Sequence, residues 1–143
     1  MSQDAQQPEP DDRDHRPAGE VYDWYVRAVS LLESGNPGAA AELLRHARSE
    51  EPDSASVLEA LARAVFDAGR YAEAAELFAG LAEVSPDSDY ARFGLGLSRM
   101  RLGDHAGAVE QLALAAVMRP ERADYQQALR EARATLRFRE GER

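Results

Sequence analysis

The histidines, serines, carboxylates and arginines are the first candidates for chemistry in this chain, because its 143 residues include no cysteine and no lysine. Without cysteine there is no disulfide, thiolate metal site or cysteine nucleophile. Without lysine a G-x-x-x-x-G-K-[ST] phosphate loop cannot be completed. The histidines are His15, His46 and His105, and no two share metal-ligand spacing on a helix. Ser30, Ser34, Ser49, Ser54, Ser56, Ser85, Ser88 and Ser98 all lack the G-x-S-x-G context of an activated serine. Gly94-Leu95-Gly96 lacks the third glycine of a dinucleotide fingerprint and falls inside a helical pattern, so it reads as a site of close helix packing. Most carboxylates belong on solvated helix faces. These residues predict no enzyme, no cofactor and no metal.

Charge narrows the partner. The formal net charge is −9, and all 17 basic residues are arginine. An acidic chain is a poor match for nucleic acid, whose phosphates need a concentrated basic surface, and for anionic membranes. No apolar run approaches the roughly 18–20 residues of a membrane span. The N-terminal stretch has neither the basic nor the apolar region of a secretory signal, so the expected compartment is the cytoplasm. Arginine in place of lysine, with abundant alanine, fits a GC-rich bacterial genome. Residues 1–19 contain Gln, Pro, Asp, Glu and Arg with little that is apolar, which predicts a disordered acidic tail.

From residue 20 the apolar residues recur at helical spacing, and turn signals punctuate them at a fixed interval. Pro52, Pro86 and Pro120 are 34 residues apart, as are Gly35, Gly69 and Gly103. Ala40, Ala74 and Ala108 follow the same period, and so do Leu44, Phe78 and Leu112. The register divides the chain into 21–54, 55–88 and 89–122. Each glycine supplies the left-handed backbone that ends a first helix. Asn36-Pro37 and Asp104 read as starts of second helices. The alanines, with Ala28, Ala62 and Gly96 on the first helices, allow close approach. Leu44, Phe78 and Leu112 fill the space between helix pairs, and each proline stops a second helix. Asp53 and Asp87 are expected to cap the helices that follow. A seventh helix is predicted over 123–138, with Tyr125, Leu129, Ala132 and Leu136 as its apolar stripe. Gln126, Arg130, Arg133 and Arg137 lie on its other side, and residues 139–143 are expected to fray.

Trp24, Ala28, Leu31, Ala40, Leu44, Ala47 and Pro52 together resemble the tetratricopeptide-repeat (TPR) signature, in period as well as residue type. Leu58, Leu61, Ala62, Ala74, Phe78 and Pro86 carry the resemblance through the second repeat. Leu95, Gly96, Ala108, Leu112, Ala115 and Pro120 carry it through the third. Arg27, Leu81, Arg92 and Arg99 depart from the pattern at positions that pack helices. The resemblance implies an all-α fold, a right-handed α-solenoid of three helical hairpins with the seventh helix as cap, over residues 20–138.

It also implies a function in protein–protein interaction, through a concave groove lined by the first helix of each repeat. In the family, positions 2, 5, 9, 12 and 13 of that helix face the groove. They correspond here to Tyr22, Tyr25, Val29, Leu32 and Glu33; to Ser56, Glu59, Arg63, Phe66 and Asp67; and to Tyr90, Phe93, Leu97, Met100 and Arg101. The apolar and aromatic members are the expected anchors for an apolar-aromatic segment of a protein or peptide partner. Arg63 and Arg101 are expected to pair with acids flanking that segment. By this assignment Phe93→Glu should spare the fold. A well-known subclass grips C-terminal carboxylates with lysines, asparagines and an arginine. The matching positions here hold Tyr25, Val29, Ala60, Tyr90 and Gly94, which do not fit such a clamp. The competing expectation is a homodimer formed through the terminal hairpins or the groove.

Overall fold

The computed structural model describes residues 19–141; the acidic tail, apart from Gly19, lies outside the described residues, as do 142–143. The described residues form seven helices: α1 (Gly19–Glu33), α2 (Pro37–Glu50), α3 (Ala55–Asp67), α4 (Tyr71–Val84), α5 (Asp89–Arg101), α6 (His105–Met118) and α7 (Ala123–Gly141). The last helix continues three residues past 138. No proline intervenes there, and Arg139 and Glu140 are good helix formers.

Three identical turns set the period. Gly35, Gly69 and Gly103 have φ of 85°, 84° and 88°. At the first turn the Gly35 amide donates to the Leu32 carbonyl at 3.1 Å, and the Asn36 amide to the Leu31 carbonyl at 2.8 Å. Gly69 with Arg70, and Gly103 with Asp104, repeat the same pair of bonds. This is the Schellman closure, which satisfies carbonyls a helix end would otherwise orphan.

The helix starts partly correct the sequence reading. Ser54 and Ser88, not Asp53 and Asp87, cap α3 and α5: their Oγ atoms accept from the Val57 and Ala91 amides at 3.2 and 3.0 Å. Each aspartate stands one residue too early to reach the third amide of the helix. Asp104 caps α6 through the Gly107 amide at 3.0 Å. Asn36 occupies the cap position of α2 without a cap bond, its amide group turned back on Ser34. Pro37 compensates there, since its fixed φ suits the first helical position.

Every helix packs on its neighbours in the chain. Beyond those, α1 meets α3, α3 meets α5 and α5 meets α7, whereas α2, α4 and α6 do not approach one another at the backbone. The first helices therefore stand closer together than the second helices. An array with one tighter layer bends toward it, and the result is an α-solenoid whose inner face is the α1–α3–α5 layer.

Small residues let consecutive helices pack closely. Ala28, Ala62, Ala40, Ala74 and Ala108 are fully buried. A Cβ built on Gly96 would lie 2.6 Å from Cγ of Leu112, and one on Gly94 would lie 2.3 Å from Cε1 of Phe78. Phe78 and Leu112 are themselves the large buried side chains between helix pairs. Phe78 also meets the Tyr90 ring edge-on at 5.8 Å. On the outer layer Arg45 of α2 forks onto both carboxylate oxygens of Glu73 on α4. That hydrogen bond holds the Glu73 carboxyl below its ordinary pKa of 4.5.

Two expectations follow from this packing. Gly94→Ala should destabilise the protein by about 1–3 kcal/mol through overpacking against Phe78. Gly80→Ala, at an open site inside α4, should stabilise it by up to about 1 kcal/mol. Urea melts read both, and equal effects of one sign would contradict the packing. The Glu73 pair should contribute about 0.2–1 kcal/mol, because both partners are about a third exposed and screened. A carboxyl with a depressed folded pKa adds stability above its unfolded pKa and loses it as pH falls through the folded one. The gap between wild type and Glu73→Gln should accordingly be present at pH 7 and vanish well below pH 4.5.

Candidate functional site

The inner layer is not uniformly open. Tyr25, Val29 and Leu32 of α1, Glu59, Ala60 and Arg63 of α3, and Tyr90 of α5 surround a concavity of about 500 Å³. Leu32, only 7% exposed, forms part of its floor. Their placement follows from helical geometry. Tyr25, Val29 and Leu32 recur at i, i+4 and i+7, and Glu59 and Arg63 at i and i+4, so each set shares one face. A smaller recess of about 40 Å³ continues toward α5, where Arg63 and Tyr90 are joined by Phe66, Phe93 and Leu97. The structure thus brings together eight of the eleven residues expected as groove anchors.

The others lie elsewhere. Tyr22 is 47% exposed and lines neither hollow. Met100 packs against the cluster of Leu112, Ala116, Leu129 and Ala132 at the α6–α7 junction. Phe93 and Leu97 lean on the same cluster while their other edges reach the small recess. Arg101 lies over the Tyr71 and Phe66 rings at 5.0 and 5.6 Å and donates to the Tyr71 hydroxyl.

The seventh helix accounts for this division. The Phe93 ring stacks on Tyr125 of α7 at 4.5 Å, with the planes 26° apart. The Tyr125 hydroxyl donates to Oδ2 of Asp89 at 2.6 Å, and Arg119 approaches Oδ1 of the same carboxylate at 3.4 Å. Burial and the Asp89 bond push the Tyr125 pKa well above its ordinary value. In this way α7 meets α5 as α3 meets α1, and it takes up the third-repeat side of the groove.

Electrostatics single out Glu59. Arg63 pairs with Asp67 one turn along α3, Nε to Oδ2 at 3.8 Å, and among the described residues no cation pairs with Glu59. Burial raises the Glu59 pKa, and the Asp89 carboxylate adds to the rise. Glu59 is exposed as a residue, yet the protein around its carboxyl removes part of the water that would solvate the charge. Burial also pushes the Tyr25 and Tyr90 hydroxyls up, and Glu59 contributes to both. Arg63 opposes the shift at Tyr90. The lining offers apolar and aromatic surface around one carboxylate, which suits recognition by shape and charge.

Helical position places Glu59 on the inner face, but hydropathy marks neither a carboxylate nor a residue as small as Ala60 as a contact, and both line the hollow. Nothing in the 34-residue register signals the Phe93–Tyr125 stack, since Tyr125 belongs to the unpaired last helix.

The family profile described as "Tetratricopeptide repeat" matches residues 25–89 and again 60–124. No curated protein matches the chain. The first TPR domain of human RPAP3 is similar at TM-score 0.79 and 15% identity, covering 86% of this chain and 97% of that one. The Sgt2 TPR domain from Aspergillus fumigatus is similar at TM-score 0.79 and 21% identity, covering 86% of this chain and 83% of that one. The first TPR of Spaghetti (RPAP3), solved bound to the HSP90 peptide SRMEEVD, reaches TM-score 0.78 at 15% identity over 85% of this chain and 97% of that one. At these identities the likeness is one of fold.

The stack on Tyr125 reverses the expectation for Phe93→Glu. A carboxylate there would sit against a fully buried tyrosine ring and the Asp89 carboxylate. It should cost on the order of 3 kcal/mol and loosen α7. Hydrogen exchange along Ala123–Gly141 reads this, and unchanged protection would contradict the assignment.

Proposed function

Because the chain belongs to the tetratricopeptide-repeat family, we propose that it is a non-catalytic protein-interaction module of three repeats, capped by α7. It binds a short apolar-aromatic segment of a partner across α1, α3 and α5. The observation that carries this reading is the open concavity walled by Tyr25, Val29 and Tyr90. Apolar and aromatic surface in a solvent-open hollow is a liability unless something covers it. The contact surface is centred on Tyr25, Val29, Glu59, Ala60 and Tyr90, because α7 draws Phe93, Leu97 and Met100 toward packing.

That a similar domain is bound to SRMEEVD supports a peptide as occupant. The chemistry of the occupant must differ. An acidic peptide needs cations in the groove, and this chain has no lysine, while Arg63 and Arg101 are already engaged. An extended or helical apolar segment fits the lining better.

Self-association is a second reading, supported by exposed apolar residues on the outer face of α6, where Leu114 and Val117 are 44% and 77% exposed. A concentration-independent monomer in sedimentation velocity would remove it.

The test of the main reading is Val29→Arg, which fills the concavity with a charged side chain at a half-buried site. It should leave the unfolding free energy from urea melts within about 0.5 kcal/mol of wild type, as changes at solvent-open positions do. Partners captured from native lysate by wild type should be lost by this variant. Identical captures from the two proteins would place the working surface elsewhere.

A further inference from the structure

Glu59 stands in an unusual position among the charged side chains of the inner face. Asp67 has Arg63, and Arg101 has the Tyr71 and Phe66 rings. Glu33 is exposed at the end of α1 and lines neither hollow. Glu59 lines the larger concavity, and among the described residues no hydrogen bond or ion pair reaches its carboxylate. Tyr25 and Tyr90 stand in the same lining, and Glu59 acts electrostatically on the hydroxyls of both.

A partner segment that seals this mouth removes the water now solvating the carboxylate. An apolar or neutral occupant would bury the charge unpaired, which is costly, and an acidic one would add repulsion. A basic side chain solves the problem: its cation pairs with the carboxylate while its hydrocarbon stem lies along Val29 and the aromatic rings. Tyrosine faces favour a cation as well. The net charge of −9 steers a basic segment toward the chain.

We infer that the concavity between α1, α3 and α5 is a pocket for an arginine or lysine of the bound segment, with Glu59 as counter-ion and the Tyr25 and Tyr90 rings as walls. This rests on the reading of the groove as the partner-binding surface. The occupant is therefore an apolar-aromatic segment carrying one basic residue, the charge opposite to that recognised by a carboxylate clamp. Arg63 is the internal competitor: it lies one turn from Glu59 on the same face and lines the same concavity, and its ion pair with Asp67 offsets part of its repulsion of an incoming cation.

The test uses the full chain and a displayed library of random 12-residue peptides. Wild type is expected to select peptides with one basic position among apolar and aromatic ones. A selected peptide, followed by fluorescence anisotropy, should bind Glu59→Gln at least tenfold more weakly. Its counterpart with glutamine at the basic position should bind wild type and Glu59→Gln alike. Removing a desolvated charge should leave the thermal midpoint of Glu59→Gln at or above that of wild type, so weaker binding cannot come from unfolding. Peptides that are lost on Val29→Arg but carry no basic position, or whose basic residue is indifferent to Glu59→Gln, would overturn the cation pocket and leave the groove standing. Failure to select any peptide, or selection of peptides indifferent to Val29→Arg, would overturn both.

Discussion

How closely consecutive helices can approach governs everything else in this molecule. It is set by what the side chains between them lack. Ala28, Ala62 and Gly96 on the first helices face a layer in which Ala40, Ala74 and Ala108 are equally small. Where larger side chains enter, as Leu112 does at Gly96 and Phe78 at Gly94, a glycine makes room for them. In the array so packed, the first helices of successive pairs touch while the second helices do not. That inequality bends the array. The bend turns one helical face into a concave surface, and the concave surface holds Tyr25, Val29, Glu59 and Tyr90 around one hollow. The proposed function thus rests on packing several residues away from the groove itself.

Periodic features were readable from sequence because one physical job recurs at one spacing. A left-handed glycine ends each first helix, and Gly35, Gly69 and Gly103 adopt nearly the same φ. A large apolar residue fills each inter-pair gap, and Leu44, Phe78 and Leu112 are all buried. A repeat is a set of equivalent environments, so each of its positions is constrained three times over. The helix caps were less readable, since Asp-Ser at 53–54 and 87–88 offers two capping residues in succession. Only the backbone decides that the serine is the one within reach of the third amide.

The groove was readable as a face but not as a site. Position along a helix predicts which residues look inward. It does not predict which of them another element then covers. The seventh helix, which has no partner of its own, docks on α5 through Tyr125, Asp89 and Phe93 and removes part of the expected surface. Charge pairing is similarly beyond the pattern: Glu59, Arg63 and Asp67 follow one another at four-residue spacing, and the spacing alone leaves open which carboxylate takes the arginine. In the structure Asp67 takes it, and among the described residues Glu59 has no ion-pair partner.

Under the proposed function a protein partner seats on the concave face rather than on the outer face of α6. Cross-saturation NMR on the labelled chain, with saturation transferred from an unlabelled captured partner, reads the contact surface directly. Signal loss confined to amides of α1, α3 and the start of α5, centred on Val29, Glu59, Ala60 and Tyr90, is the predicted result. Loss centred on Leu114 and Val117, with the concave face untouched, would contradict it.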